Sequence, residues 1–496
     1  MTFDTLRTMR GLDVPRVAAL CSLLLAAACG ASTGSATSDS TGHSPSAPPI
    51  TTPNGHDWTQ FGVDQARSGV SEAPTGISAA ALPTMRRQQV SLDGTVDASP
   101  IYLHNVQVGG AARDVFFVTT TYGKTIAIDA NDGTILWQFT PSGYSQWSGS
   151  YRITNATPIA DPDRTAIYAA SPDGHVQKLS IADGHQIWST AVTLLPTREK
   201  IASPLSFSRG RVIVATGGYI GDAPPYQGHV AIIDAASGQL LHVWNSLCSD
   251  RAALIDPSTC RESDSAIWGR AGVVIDSTTG QIFVATGNAP WDGLTSWGDA
   301  VLVLDPDATR IVANYTPTNT ETLNQSDADL GSTSPALLDA THVLQGGKDG
   351  TLRLLDLGTL SGDAPHKGGE VGVVPTPSGR ALFTAPAVRR RPNVTWIFVA
   401  DGGGTAAWTF SGGLTKVWSN DNAGTRPVVA GGQLFVYDPG GVLRVYDPET
   451  GQVLAALECG DGHWNSPIVA DGRIALPEGN ANSHSTTGVL NIWRLP

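Results

Sequence analysis

Ala127-Ile128-Asp129-Ala130-Asn131-Asp132-Gly133-Thr134-Ile135-Leu136-Trp137 reads as two short strands joined by a tight turn. Ile126 and Ile128 alternate with Ala127 and Asp129, the period of two that one-sided burial imposes on a strand. Asn131-Asp132-Gly133 supplies residues that tolerate positive φ, and Trp137 puts a large apolar body on the outgoing strand. A single hairpin of this size cannot bury its own apolar face. What constrains the fold is that the unit recurs. The spacing Asp129…Gly133…Trp137 returns as Ser180…Gly184…Trp188 and as Asp234…Gly238, with the indole displaced to Trp244. It returns again as Asp447…Gly451, with Ala455 in place of Trp, and more loosely as Gly413…Trp418. A small residue or Arg, then Pro, then a strand precedes each unit: Ser99-Pro100, Thr157-Pro158, Ser203-Pro204, Ser334-Pro335, Ala385-Pro386, Arg426-Pro427 and Ser466-Pro467, with Ala271-Gly272 filling the gap.

Units of about 40–60 residues with several strands each predict an all-β fold, a propeller of eight blades. Residues 85–92 form a strand with no partner before it, while the last unit (468–470, 473–477, 488–495) is one strand short. The economical reading is an eight-bladed β-propeller closed by an N-terminal strand, leaving no open sheet edge. The motif of Ala127, Asp129, Gly133 and Trp137, repeated in part by Gly184 and Trp188, resembles the tryptophan-docking motif of the PQQ-like (pyrroloquinoline-quinone-type) β-propellers, the quinoprotein alcohol dehydrogenase-like superfamily. Trp58-Thr59-Gln60-Phe61-Gly62 is similar to the leading segment of those proteins. Trp137 and Trp188 are then expected to pack on the neighbouring unit, each N–H bonded to a backbone carbonyl across the blade junction.

The flanks predict an exported protein. Residues 1–28 combine Arg7, Arg10 and Arg16 with an apolar stretch too short to span a bilayer comfortably. They end in Leu25-Ala26-Ala27-Ala28-Cys29, which resembles a bacterial lipobox with Cys29 as the lipidated residue; an ordinary signal peptide with an incidental Cys is the alternative. Residues 29–56 are rich in Ser, Thr, Gly and Pro and read as a disordered tether, and 57–496 as the propeller. Cys248 and Cys260 lie in one long loop and are expected to pair in an oxidising envelope, leaving Cys459 as a small core residue. A formal charge of −13 with no basic run makes nucleic acid a poor partner. The expected partners are the membrane, through the lipid anchor, and an envelope protein or polymer.

The insertions 217–229 and 287–299 and the excursions 245–270 and 314–333 are expected on one face, because in a four-stranded blade the loop between the second and third strands lies on the same side as the connection to the next blade; loops on a rigid scaffold carry function, so that is the face to search. That face offers Trp147, Arg152, Asn155, Trp268, Arg270, Asn288, Trp291, Trp297, Asp299, Lys348, Asp349, His463, Trp464, Asn465, Glu478 and Asn480 as candidate ligand-binding residues. Indole faces beside amide, carboxylate and guanidinium groups suit a flat or sugar-like ligand. Two functions follow from resemblance. One is a non-catalytic binding or scaffold lipoprotein, similar in architecture to the propeller lipoprotein of the outer-membrane β-barrel assembly machinery. The other is a periplasmic PQQ-dependent dehydrogenase of alcohols or polyols. That family implies a vicinal Cys pair, a stacking Trp, an Arg at the quinone oxygens, Ca²⁺ held by Glu, Asn and Asp, and an Asp base. No adjacent Cys pair occurs here; Arg270 with Asn288, or Glu478 with Asn480, imitates parts of the set.

Overall fold

The computed structural model describes residues 56–496. The signal segment, Cys29 and all but the last residue of the tether therefore lie outside the described residues. Eight sheets follow in chain order, taken here as blades 1 to 8, each antiparallel apart from the leading-segment strand Val70–Ser71, which adds parallel to Val428–Ala430 of blade 7. Their innermost strands are Ile101–Val108, Ile159–Ala160, Ser206–Ser208, Val274–Ile275, Ala336–Leu337, Ala387–Arg391, Val428–Ala430 and Ile468–Ala470. Each begins two or three residues after the start of one of the small-residue marks. Among the described residues, no helix is long and apolar enough to cross a membrane.

Blade 8 obtains its outer strand from the other end of the chain. Arg86–Leu92 pairs antiparallel with Gly488–Arg494 in continuous register, Arg86 opposite Arg494 and Leu92 opposite Gly488. Val90 and Leu92 are buried in the cluster shared with Leu490 and Ile492. The ring thus closes without a covalent link.

Blades are locked to one another by the recurrent hairpins. In blade 1 the Asp129 side chain accepts the Asn131 N–H at 2.9 Å and Gly133 turns at φ +79°. Trp137 donates its indole N–H to the Ile181 carbonyl of blade 2 at 2.8 Å. Trp188 does the same to Ala235 at 3.2 Å and Trp418 to Pro448 at 2.9 Å. Each ring lies on the motif glycine of the next unit: a Cβ at Gly184 would stand 2.5 Å from Trp137, and one at Gly451 would stand 2.6 Å from Trp418. The glycine therefore does two things, supplying positive φ and clearing a seat for the indole.

The leading segment does more than open the domain. Trp58 bridges Tyr102 in blade 1, Thr59 accepts from Ala160 in blade 2, and the buried Arg67 donates to Leu205 and Ser206 in blade 3. Gln65, Ser68, Gly69 and Thr75 then accept from Ile275, Val388, Val429 and Gly472 in blades 4, 6, 7 and 8. All these contacts fall along or past the innermost strands, so the segment plugs that end of the axis.

The four long segments hydrogen-bond to one another on the other side: Gly228 to Ser265, Ser265 to Asn288, Trp297 to Ser246, and Leu330 to the Asp299 side chain. Cys248 and Cys260 form a disulfide within this assembly, and Cys459 is free and partly buried.

Candidate functional site

The residues just before each innermost strand point to the axis at the unplugged end. Asp97 precedes blade 1, Asn155 blade 2, Lys200 blade 3, Trp268 and Arg270 blade 4, Phe383 blade 6, and His463 and Trp464 blade 8. Side chains from six blades touch one another here, which only a position on the axis allows.

Asp97 is the hub, 1% exposed. Its Oδ2 accepts from His463 Nδ1 at 2.8 Å, the Ala481 N–H at 3.0 Å and Asn155 Nδ2 at 3.4 Å, with Arg270 at 3.6 Å; its Oδ1 accepts the Trp464 N–H at 3.3 Å. Burial alone would push this carboxyl up, but the Arg270 guanidinium and His463 outweigh it and hold it at about 2. Lys200 reaches Asn155 Oδ1 at 3.2 Å. Burial, with Arg270 nearby, pushes the Lys200 ammonium down to about 7.

Above this polar base lies an aromatic floor. Trp268, Phe383 and Trp464 stand 5.4 to 6.2 Å apart, and each remains partly open to solvent. Trp464 carries the Arg270 guanidinium 4.1 Å from its ring centroid and stacks on His463 at 3.7 Å. Lys348 hangs 5.4 Å from the Trp268 ring and pairs with Asp327 and Asp329, each at 2.6 Å. Asp329 also accepts the Asn288 N–H at 2.6 Å. Asp299 accepts from Leu330 at 2.9 Å, while its Oδ2 finds no hydrogen-bond partner. Burial, reinforced by Asp329, pushes the Asp299 carboxyl up to about 8.

The candidates named from sequence thus divide. Asn155, Trp268, Arg270, His463 and Trp464 meet on the axis, and Asn288, Asp299 and Lys348 stand together through the Asp329 loop. The rest hold the scaffold. Trp147 is buried, its indole donating to Tyr122 at 3.1 Å with Arg152 5.6 Å from its ring, and Arg152 itself reaches Pro172 at 3.1 Å. Trp297 is 2% exposed and packs with Trp244 and Ile267, with Trp291 against the same cluster. Asp349 pairs with Arg353; Asn465 donates to the Val96 carbonyl at 2.6 Å, joining blade 8 to blade 1. Glu478 is held by Gly460 and Asn491, and Asn480 caps the short 3-10 helix Ala481–Ser483. The insertion expected to carry a binding face on Trp297 uses that ring as core instead. A surface groove of about 450 Å³ does run beside it, lined by Leu294, Arg310 and Pro365, but it holds none of the perturbed groups of the axis.

Sequence reasoning missed Asp97, Lys200, Asp329 and Phe383. A signal was available for two of them: Asp97, Asn155, Phe383 and Trp464 all stand two residues before the small-residue mark of their blade.

Residues 89–250 match the family model described as outer membrane protein assembly factor BamB. The chain is a PQQ-like β-propeller. Among curated proteins it is 24% identical over 208 residues to polyvinylalcohol dehydrogenase of Sphingopyxis sp. (strain 113P3), covering 39% of this chain and 31% of that protein. It is 23% identical over 439 residues to the dehydrogenase subunit of the quinone alcohol dehydrogenase of Gluconacetobacter polyoxogenes, covering 74% and 58%. The match therefore spans only part of those relatives' own lengths. Among solved structures the PQQ-like propeller superposes on quinohemoprotein alcohol dehydrogenase from Comamonas testosteroni with TM-score 0.66 at 17% identity, covering 88% and 80% of the two chains. Europium-containing methanol dehydrogenase gives 0.64 at 16% identity, covering 89% and 99%.

Proposed function

We propose that the axial funnel binds a planar, anionic quinone of the pyrroloquinoline-quinone type and that the protein is an envelope dehydrogenase of alcohols or polyols. The observation that carries this reading is the partly open floor of Trp268, Phe383 and Trp464 flanked by Arg270 and Lys348. Indole and phenyl faces stack flat conjugated rings, and cations meet their carboxylates. The Arg270 Nε is buried with no hydrogen-bond partner, a donor that a ligand oxygen satisfies. The relatives named above as dehydrogenases support the same reading. The scaffold alternative rests on fold likeness alone.

The calcium half of the family pattern does not fit. Every Asp97 oxygen is taken by donors of its own chain, Glu478 is spent on Gly460 and Asn491, and among the described residues no three His, Cys, Asp or Glu ligand atoms converge on the axis. No step is assigned to a metal here. A bound quinone would supply two-electron oxidation of the alcohol carbon. The chain would orient the alcohol in the funnel and receive its hydroxyl proton. Asp97, held at about 2, is a weak base; Lys200, at about 7, is suited to that proton at neutral pH.

Titrating the purified full-length protein with pyrroloquinoline quinone should quench tryptophan fluorescence saturably, without need of Ca²⁺, and yield dye reduction by alcohols. Trp268→Ala should weaken binding about tenfold or more, the worth of one good stacking contact. An absence of both quenching and dye reduction at micromolar quinone would sink the reading. Envelope location belongs to the same proposal: Cys29→Ser should release the protein from membrane fractions, and a variant that still pellets would exclude the lipid anchor.

A further inference from the structure

We propose a divalent transition-metal site formed by His56, His104 and Asp471 at the seam where the ring closes. The three residues come from the leading segment, the innermost strand of blade 1 and the turn after the innermost strand of blade 8. Their ligand atoms all lie within 4.8 Å of one another, the one such grouping of His, Cys, Asp and Glu among the described residues. His56 Nδ1 stands 2.6 Å from Asp471 Oδ1, and His104 Nδ1 stands 3.0 Å from Asp471 Oδ2 and 3.1 Å from Asp114 Oδ1. The two imidazoles are stacked, centroids 4.7 Å apart.

Three features set this apart from ordinary ion pairing. His104 Nδ1 is enclosed between two carboxylates yet aligned for a hydrogen bond with neither. The Asp471 carboxylate is fixed in place by the Tyr102 hydroxyl at 2.8 Å, so it does not need the histidines to hold it. A small cavity of about 10 Å³, near the smallest that admits a water, lies against His56 and Asp471. Two imidazole nitrogens and one carboxylate are a donor set for Zn²⁺ and its neighbours rather than for Ca²⁺ or Mg²⁺, which take oxygen. Bonds of about 2.0–2.1 Å put tetrahedral ligands roughly 3.3 Å apart, so the His104–Asp471 pair would open by about 0.3 Å and the His56–Asp471 pair by about 0.7 Å. Asp114 or a water completes the shell.

Such an ion would add a clip between elements that already meet through strand pairing and the Tyr102–Asp471 hydrogen bond. It lies at the plugged end, away from the axial funnel, so it is structural and independent of the quinone reading. The test uses full-length protein stripped with a chelator. Zn²⁺ titrated by calorimetry should bind at one site per chain, Co²⁺ should give tetrahedral visible bands, and Zn²⁺ should raise the melting temperature reversibly to chelator. His104→Ala should weaken Zn²⁺ by at least about tenfold and remove the Co²⁺ bands. His56→Ala, a change at an exposed side chain, should do the same while leaving the metal-free melting temperature nearly unaltered. The proposal is overturned if both variants bind Zn²⁺ like the parent, or if the parent shows neither Co²⁺ bands nor a melting shift.

Discussion

Two buried carboxylates beside the funnel show how donors, not burial, set a charge. Asp97 collects the His463 ring, two backbone N–H groups, the Asn155 amide and the nearby Arg270, and stays ionised. Asp299 receives one backbone N–H and faces Asp329, and its carboxyl rises to about 8. The consequences have opposite signs. The Asp97 contribution is present above the unfolded value near 3.9 and is lost as pH falls toward about 2. The Asp299 contribution is fully present below about pH 4 and is lost as pH rises through its folded value. Asp299→Asn keeps the shape of the protonated acid. Its stability should match the parent near pH 4 and exceed it near pH 8, with a shallower decline between; the limit for one group is about 1.4 kcal/mol per pH unit. Urea midpoints measured across that range decide it, and parallel declines in the two proteins would show that Asp299 is ionised in the native state.

At the scale of the element, the hairpin and its neighbour form one device. The indole of one blade seats on the glycine of the next and spends its N–H on a carbonyl there, so both partners should matter equally. Trp137→Ala should cost about 2–4 kcal/mol, below the figure for a fully buried indole because the ring is half exposed. Gly184→Ala combines a side chain at φ +74° with a collision against that ring and should cost a similar 2–4 kcal/mol. Trp268→Ala, in the funnel, should cost no more than about 1 kcal/mol. Denaturant midpoints at constant m make the comparison. A Gly184→Ala variant as stable as the parent would mean that the indole does not occupy that seat.

Over the whole molecule, closure rests on one strand. Gln88 and Val90 of Arg86–Leu92 lie against Gly133, in the seat that an indole fills at the docked junctions, so this strand both completes blade 8 and docks it on blade 1. Deleting residues 85–92 should expose the Gly488–Arg494 edge and separate the two blades. The expected result is aggregation or a large loss of melting temperature. A monomeric deletion variant with an unchanged melting curve would show that the ring does not depend on the strand.

The repeat, the blade boundaries, the closing strand, the disulfide and the docking tryptophans were legible because each follows from local rules. Turn residues, alternation and a strand without a partner leave a mark in sequence order. The funnel was legible only in part. Asn155, Trp268, Arg270, His463 and Trp464 drew notice as polar or aromatic residues before a strand, but so did Trp147 and Trp297, which are packing residues. Nothing local separates the two groups. An indole becomes a floor or a core according to whether the eight-fold arrangement leaves space over its face, and Asp97 becomes a hub because donors hundreds of residues away converge on it. The plug across the far end and the meeting of His56 with Asp471 are of the same kind. The chain's own pattern determined the ring; only closing the ring decided which side chains face its axis and which meet at its seam.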